Sequence, residues 1–157
     1  MISGGGTITA GAGTNAINVT WHTVGNQTIS VNYTNPSGCS SSIPTVKNVV
    51  VNPLPVPSLS GASSVCKGTS GEIYSTETGM ANYQWTISPG GVITSGVNTN
   101  MVSVNWTAAG QQSLSVNYRN SMGCQASNPV IKIVTVKPLP TPSIVGIDSI
   151  CLNQTVT

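Results

Sequence analysis

Apolar and polar residues alternate with a period of two along much of this chain. In Met101–Trp106, Val102, Val104 and Trp106 fall on one side, Ser103 and Asn105 on the other. The next run alternates Leu114, Val116 and Tyr118 with Ser115 and Asn117. Residues 130–136 set Ile131, Ile133 and Thr135 against Lys132, Val134 and Val136. Successive strand side chains point to opposite faces, so these runs predict antiparallel strands with one wet face. Ile73 with Tyr74, then Tyr83, Trp85 and Ile87, hold strand-like positions, and a further strand follows the Ser-Pro-Gly-Gly turn at 88–91. Clusters of Gly, Asn, Pro and Ser separate the runs, and helix formers are too sparse for a bundle.

The pattern repeats. Trp21 and Trp106, Cys39 and Cys124, Cys66 and Cys151, and Pro53 and Pro138 are each 85 residues apart. Residues 2–53 align on 87–138 without a gap, and roughly half of the pairs are identical. One complete copy therefore spans 56–140. Residues 1–55 are the back part of a preceding copy, and 141–157 are the start of a third, with Thr157 corresponding to Glu72. Neither partial copy has a counterpart of Ile73–Trp85. The stretch reads as an excerpt of a longer tandem array. About seven short strands in ~85 residues predict an all-β, immunoglobulin-like antiparallel sandwich. Trp85, Val104, Trp106, Val116 and Tyr118 are its expected core. The Pro-Leu-Pro junctions at Pro53–Pro55 and Pro138–Pro140 predict extended, stiff connections, because proline fixes its own φ and restricts the residue before it.

Composition narrows the function classes. Only 5% of the 157 residues are charged, Phe is absent and the formal net charge is +2. No apolar run approaches the roughly 20 residues of a spanning helix. Lys47, Lys67, Arg119, Lys132 and Lys137 form no cluster, so neither a nucleic-acid stripe nor membrane insertion is expected. The first residues, Met-Ile-Ser-Gly-Gly-Gly, lack the basic and apolar regions of a signal peptide, which places any export address outside this stretch.

The ordered motifs SVCKGTSGEIYS, YQWTISPGGVI, VSVNWTAAGQQSLSVNY and Gly-Cys, closed by a Pro-flanked Val strand, resemble the PKD-like repeats. These are strung in large proteins of Bacteroidota. The resemblance implies an extracellular or cell-surface location, an adhesin or gliding-type parent and type IX secretion. The acidic signature of better-known PKD domains is missing, since Thr86 and Ile87 follow Trp85. Nothing tied to those acidic residues is carried over.

Two cysteines per copy in a chain of this kind read as one intradomain disulfide, Cys66 to Cys124, in an oxidising compartment. Unlinked thiols are the alternative; zinc is disfavoured without a CxxC pair or a nearby histidine. Cys39 and Cys151 are left unpaired by truncation, free or able to pair between chains. The carboxylates are Glu72, Glu77 and Asp148 alone; Glu72 and Glu77 could at most share a loose calcium site, and they read instead as solvated. His22 is the single histidine, and Thr107 takes its place in the full copy, so no Ser-His-Asp set can be assembled. The Gly-rich start lacks the Lys-Ser/Thr of a phosphate loop.

No catalytic residue, metal or cofactor is therefore expected. The sequence reads as a non-catalytic spacer in an extracellular adhesin-type stalk. Its expected partners are neighbouring repeats of the same chain, with glycans or other cell-surface proteins. The alternative is a carbohydrate-binding accessory module of a secreted enzyme, which needs exposed aromatics such as Trp21, Trp85 and Trp106 on one face.

Overall fold

A computed structural model of the chain describes residues 1–155, so the end of the expected third copy, with its Thr157–Glu72 correspondence, lies outside the described residues. The described residues form eleven strands and no helix; none of them therefore builds a helix long and apolar enough to cross a membrane. Residues 1–55 carry β1 (Gly6–Ala10), β2 (Asn18–Trp21), β3 (Gly25–Val31) and β4 (Thr45–Val51). The full copy carries β5 (Ser64–Cys66), β6 (Glu72–Ser75), β7 (Ala81–Ile87) and β8 (Gly91–Ser95). It continues with β9 (Met101–Trp106), β10 (Gly110–Arg119) and β11 (Val130–Lys137).

The chain groups into two compact units. One holds Met1–Pro57 with Glu77–Tyr83 and Asn117–Pro129; the other holds Ser58–Thr76, Gln84–Val116 and the chain from Val130 onwards. Two stretches that the period assigns to the full copy, 77–83 and 117–129, thus group with the first unit.

The seven strands of the full copy make a four-stranded sheet, ordered β5-β11-β10-β7, and a three-stranded sheet, ordered β6-β9-β8. The pairings are antiparallel for β10 with β11, β6 with β9 and β8 with β9, whereas β5 runs parallel to β11. Both sheets contribute to one core of Val65, Tyr74, Val102, Val104, Trp106, Leu114, Val134 and Val136. That shared core makes the copy an immunoglobulin-like β-sandwich. Each wholly buried Val or Leu contributes about 1.5–3 kcal/mol of transfer free energy. Trp106 sits at the centre, edge-on to Tyr74 with ring centroids 6.1 Å apart and an 85° interplanar angle. Its indole N–H donates to the Tyr74 hydroxyl at 3.2 Å, so neither buried polar atom is stranded.

Register decides which face of β11 turns inward. Gln112 lies opposite Val134 and Gly110 opposite Val136, and directly opposed residues share a face. Leu114 and Val116 already point into the core, so Val134 and Val136 do too. Ile131 and Ile133, opposite Ser115 and Ser113, are left 62% and 53% exposed. Of the expected core residues, Val104, Trp106, Val116 and Tyr118 are buried, and Trp85 packs half-buried against the cluster.

In the first unit, β1 pairs with β2 and β3 with β4, both antiparallel. These are the counterparts of the β8–β9 and β10–β11 pairs.

Candidate functional site

The best-defined polar constellation is the loop that follows β10, and β3 in the preceding copy, Asn-Tyr-x-Asn…Gly-Cys. In the full copy, Asn117 ends the polar alternation of β10 but is buried. Its Oδ1 accepts the Tyr118 backbone N–H at 2.8 Å, and its amide donates to the Ala126 carbonyl at 3.3 Å. Asn120 then folds the turn: its N–H donates to the Cys124 carbonyl at 2.9 Å, and its Oδ1 accepts the Cys124 N–H at 3.0 Å. Gly123 takes φ = 80°, a left-handed conformation that L side chains rarely adopt. With Oδ1 engaged in the turn, the Asn120 side-chain amide donates to the Pro53 carbonyl at 3.2 Å, inside the first unit. The loop therefore grips the first proline of the incoming junction. Spacing cannot announce this contact, which joins residues far apart in sequence.

Glu77 is a correction to the expectation of a solvated carboxylate. Its Oε2 accepts the Tyr118 hydroxyl at 2.7 Å, and its backbone carbonyl accepts the Tyr83 hydroxyl at 2.7 Å. The Tyr83 and Tyr118 rings meet edge-on at 5.9 Å. Burial, followed by the hydrogen bond to Glu77 and that carboxylate's charge, raises the Tyr118 phenol well above the usual tyrosine range. The anion would be desolvated beside a like charge. Tyr74 is raised as well, mainly by burial. Neither shift prepares a phenol for chemistry; both keep it neutral.

The structure shows no bond between Cys66 and Cys124, and Cys39, Cys66, Cys124 and Cys151 all carry free thiols in it. Register supplies the reason. Cys66 lies opposite Lys137 at the end of β11, whose neighbour Val136 faces Gly110 at the start of β10. Cys124 lies in the turn beyond Arg119, past the other end of that ten-residue strand. At about 3.3 Å per residue the strand spans roughly 30 Å. A disulfide needs Cα atoms about 4.4–6.8 Å apart. Counting two cysteines per copy could not reveal that they belong to opposite ends of one sheet.

The remaining candidates do not converge. The His22 ring nitrogen Nε2 lies 3.2 Å from Thr7 Oγ1 at an exposed position. Glu72 begins β6 and Asp148 is exposed. No three His, Cys, Asp or Glu side chains gather among the described residues. Trp106 is wholly buried, and the Trp85 indole donates to the Thr99 carbonyl at 2.9 Å. An apolar open groove in the first unit is lined by Ile8, Ile17, Ile29, Val31 and Tyr33 among others. Their counterparts in the full copy, Ile93, Val102, Leu114, Val116 and Tyr118, are buried or packed against its core.

The family model described as PKD-like domain matches residues 1–48 and 52–133. No curated protein matches the chain.

Proposed function

The chain belongs to the PKD-like domain family, and on that premise we propose that it is a non-catalytic spacer from a tandem array. The parent is a large extracellular, adhesin-type protein of Bacteroidota exported by type IX secretion. PKD-like domains are generally non-catalytic and typically extracellular. The spacer reading rests on one observation above the others, the Asn120–Pro53 hydrogen bond. A junction that is Pro-rich and also held by the module it enters transmits orientation, whereas a Gly/Ser tether does not. The partners on this reading are the adjoining copies along the array, with glycans or other cell-surface proteins at its far end. The carbohydrate-binding alternative needs an exposed aromatic row, and the burial of Trp106 argues against it.

Small-angle scattering of three joined copies tests the proposal. The expected result is an extended particle whose length grows by a constant increment per copy. A compact or freely jointed particle overturns it.

A further inference from the structure

The two cysteines of a copy mark the two places where the chain leaves and enters it. Cys66 ends β5 opposite Lys137, and the Lys67 N–H donates to the Lys137 carbonyl at 2.8 Å. Lys137 is the last residue of β11, and Pro138 begins the outgoing junction. Cys66 is exposed there. Cys124 closes the Asn120 turn, and Asn120 holds Pro53, the first residue of the incoming junction.

Pro138 is the counterpart of Pro53, 85 residues on. Carried forward by one period, the Asn120–Pro53 bond sets the Pro138 carbonyl against the next copy's counterpart of Asn120. The next copy's counterpart of Cys124 comes with it, in the same five-residue turn. Cys66, beside Lys137, is the cysteine already at that place.

We propose that the cysteines of this family of copies form disulfides between successive copies, the Cys66 position of one with the Cys124 position of the next. Each junction then carries a covalent bridge alongside its Pro-Leu-Pro chain. Under this rule no two of the four cysteines within these 157 residues are partners of one another.

The bridge forms by two thiol–disulfide exchanges with an external disulfide such as oxidised glutathione. One thiolate attacks the donor, giving a mixed disulfide and releasing one glutathione thiolate. The second cysteine's thiolate attacks the mixed disulfide and releases the other. The protein gives up two electrons and two protons, and the donor is reduced to two thiols. The inference rests on the tandem order of the proposed array but not on its extracellular setting, since a redox buffer supplies the oxidant. A bridged chain that scatters as a flexible particle, or a rod without bridges, separates the two ideas.

The test extends the chain after Thr157 with a second copy of residues 73–140, which completes the third repeat. The protein is equilibrated in glutathione buffer, alkylated and mapped without reduction. The Cys66 peptide is expected in linkage with the cysteine of the added segment, with Cys39, Cys124 and Cys151 alkylated. Linkage of Cys66 to Cys124, or an alkylated Cys66 in protein whose tryptophan emission is that of a buried indole, overturns the proposal. A second variant uses the 157-residue chain itself. Asn52 is the counterpart of Lys137, the sheet neighbour of the Cys66 position, so Asn52→Cys places a thiol at the outgoing end of the first copy. Oxidation is expected to join it to Cys124 and leave three free thiols; five free thiols count against the proposal.

Discussion

The two copies of the back part of this module, residues 2–53 and 87–138, share half their residues and nearly all their turns, yet they bury their side chains very differently. Ser3 Oγ donates to Gln27 Oε1 at 2.6 Å, and Ser88 Oγ donates to Gln112 Oε1 at the same distance. Thr14 Oγ1 donates to the Gly11 and Ala16 carbonyls, and Thr99 Oγ1 to those of Gly96 and Met101. Asn35 Oδ1 accepts the Cys39 N–H just as Asn120 Oδ1 accepts that of Cys124. Burial breaks the symmetry. Val116 is 0% exposed and Val31 56%; Tyr118 is 2% exposed and Tyr33 77%. Residues 1–55 have no counterpart of Ile73–Trp85, the segment that brings Tyr74, Glu77 and Tyr83 to the full copy. Short-range hydrogen bonds need only their own turn, whereas a core residue needs the opposite sheet.

Truncating the central tryptophan pushes that contrast furthest. Trp106→Ala is expected to cost the full copy about 3–5 kcal/mol, as loss of a buried aromatic does, and it also strands the Tyr74 hydroxyl. Trp21→Ala, at a half-buried position, is expected to cost well under half of that. Urea unfolding of both variants checks the ratio; equal losses would sink the argument that the front segment makes the core.

The turns should respond alike. A Cβ at Gly96 or at Gly11 would lie 2.0 Å from a backbone carbonyl oxygen, that of Met101 or Ala16, and both glycines have φ near +80°. Gly96→Ala and Gly11→Ala are each expected to cost about 1–3 kcal/mol through this strain. Hydrogen exchange at Thr99 and Thr14 reads the local loosening. A loss at only one of them would show that these turns depend on burial after all.

A smaller difference separates the two loop tyrosines. Tyr118→Phe removes the hydrogen bond to Glu77 and is expected to lower stability by about 1 kcal/mol, the hydroxyl being part-buried against a charged acceptor. Tyr33→Phe should shift the thermal midpoint negligibly.

The mildest probe is alkaline pH. Tyr118 and Tyr74 have folded-state pKa values raised above the ordinary one of 10.0. The unfolded chain therefore releases these protons first, and the stability held below about pH 10 declines as pH rises above it. Absorbance of tyrosinate should show fewer than four ionised phenols in the folded protein near pH 11, with the rest appearing on unfolding.

Much of the architecture was legible beforehand. Alternation at Val102, Val104 and Trp106, and at Leu114, Val116 and Tyr118, marked the strands because a half-buried sheet imposes a period of two. The inward face of β11 was not legible: Ile131 and Ile133 look as apolar as Val134 and Val136, and only pairing with β10 chose between them. The placement of the cysteines was not legible for a related reason. Counting treats Cys66 and Cys124 as near neighbours in a small domain, whereas the length of β10 keeps them apart. Glu77 was hidden too, since nothing in the residues around it names a tyrosine 41 positions away as its donor.

By itself the chain's order of residues determined the 85-residue period, and also the strands and the turn chemistry, which act through neighbours a few positions apart. Tertiary structure alone decided which face of β11 is dry, which cysteines stand at which end, and that Asn120 reaches Pro53. Those outcomes depend on pairing between distant segments, whose register no local pattern encodes.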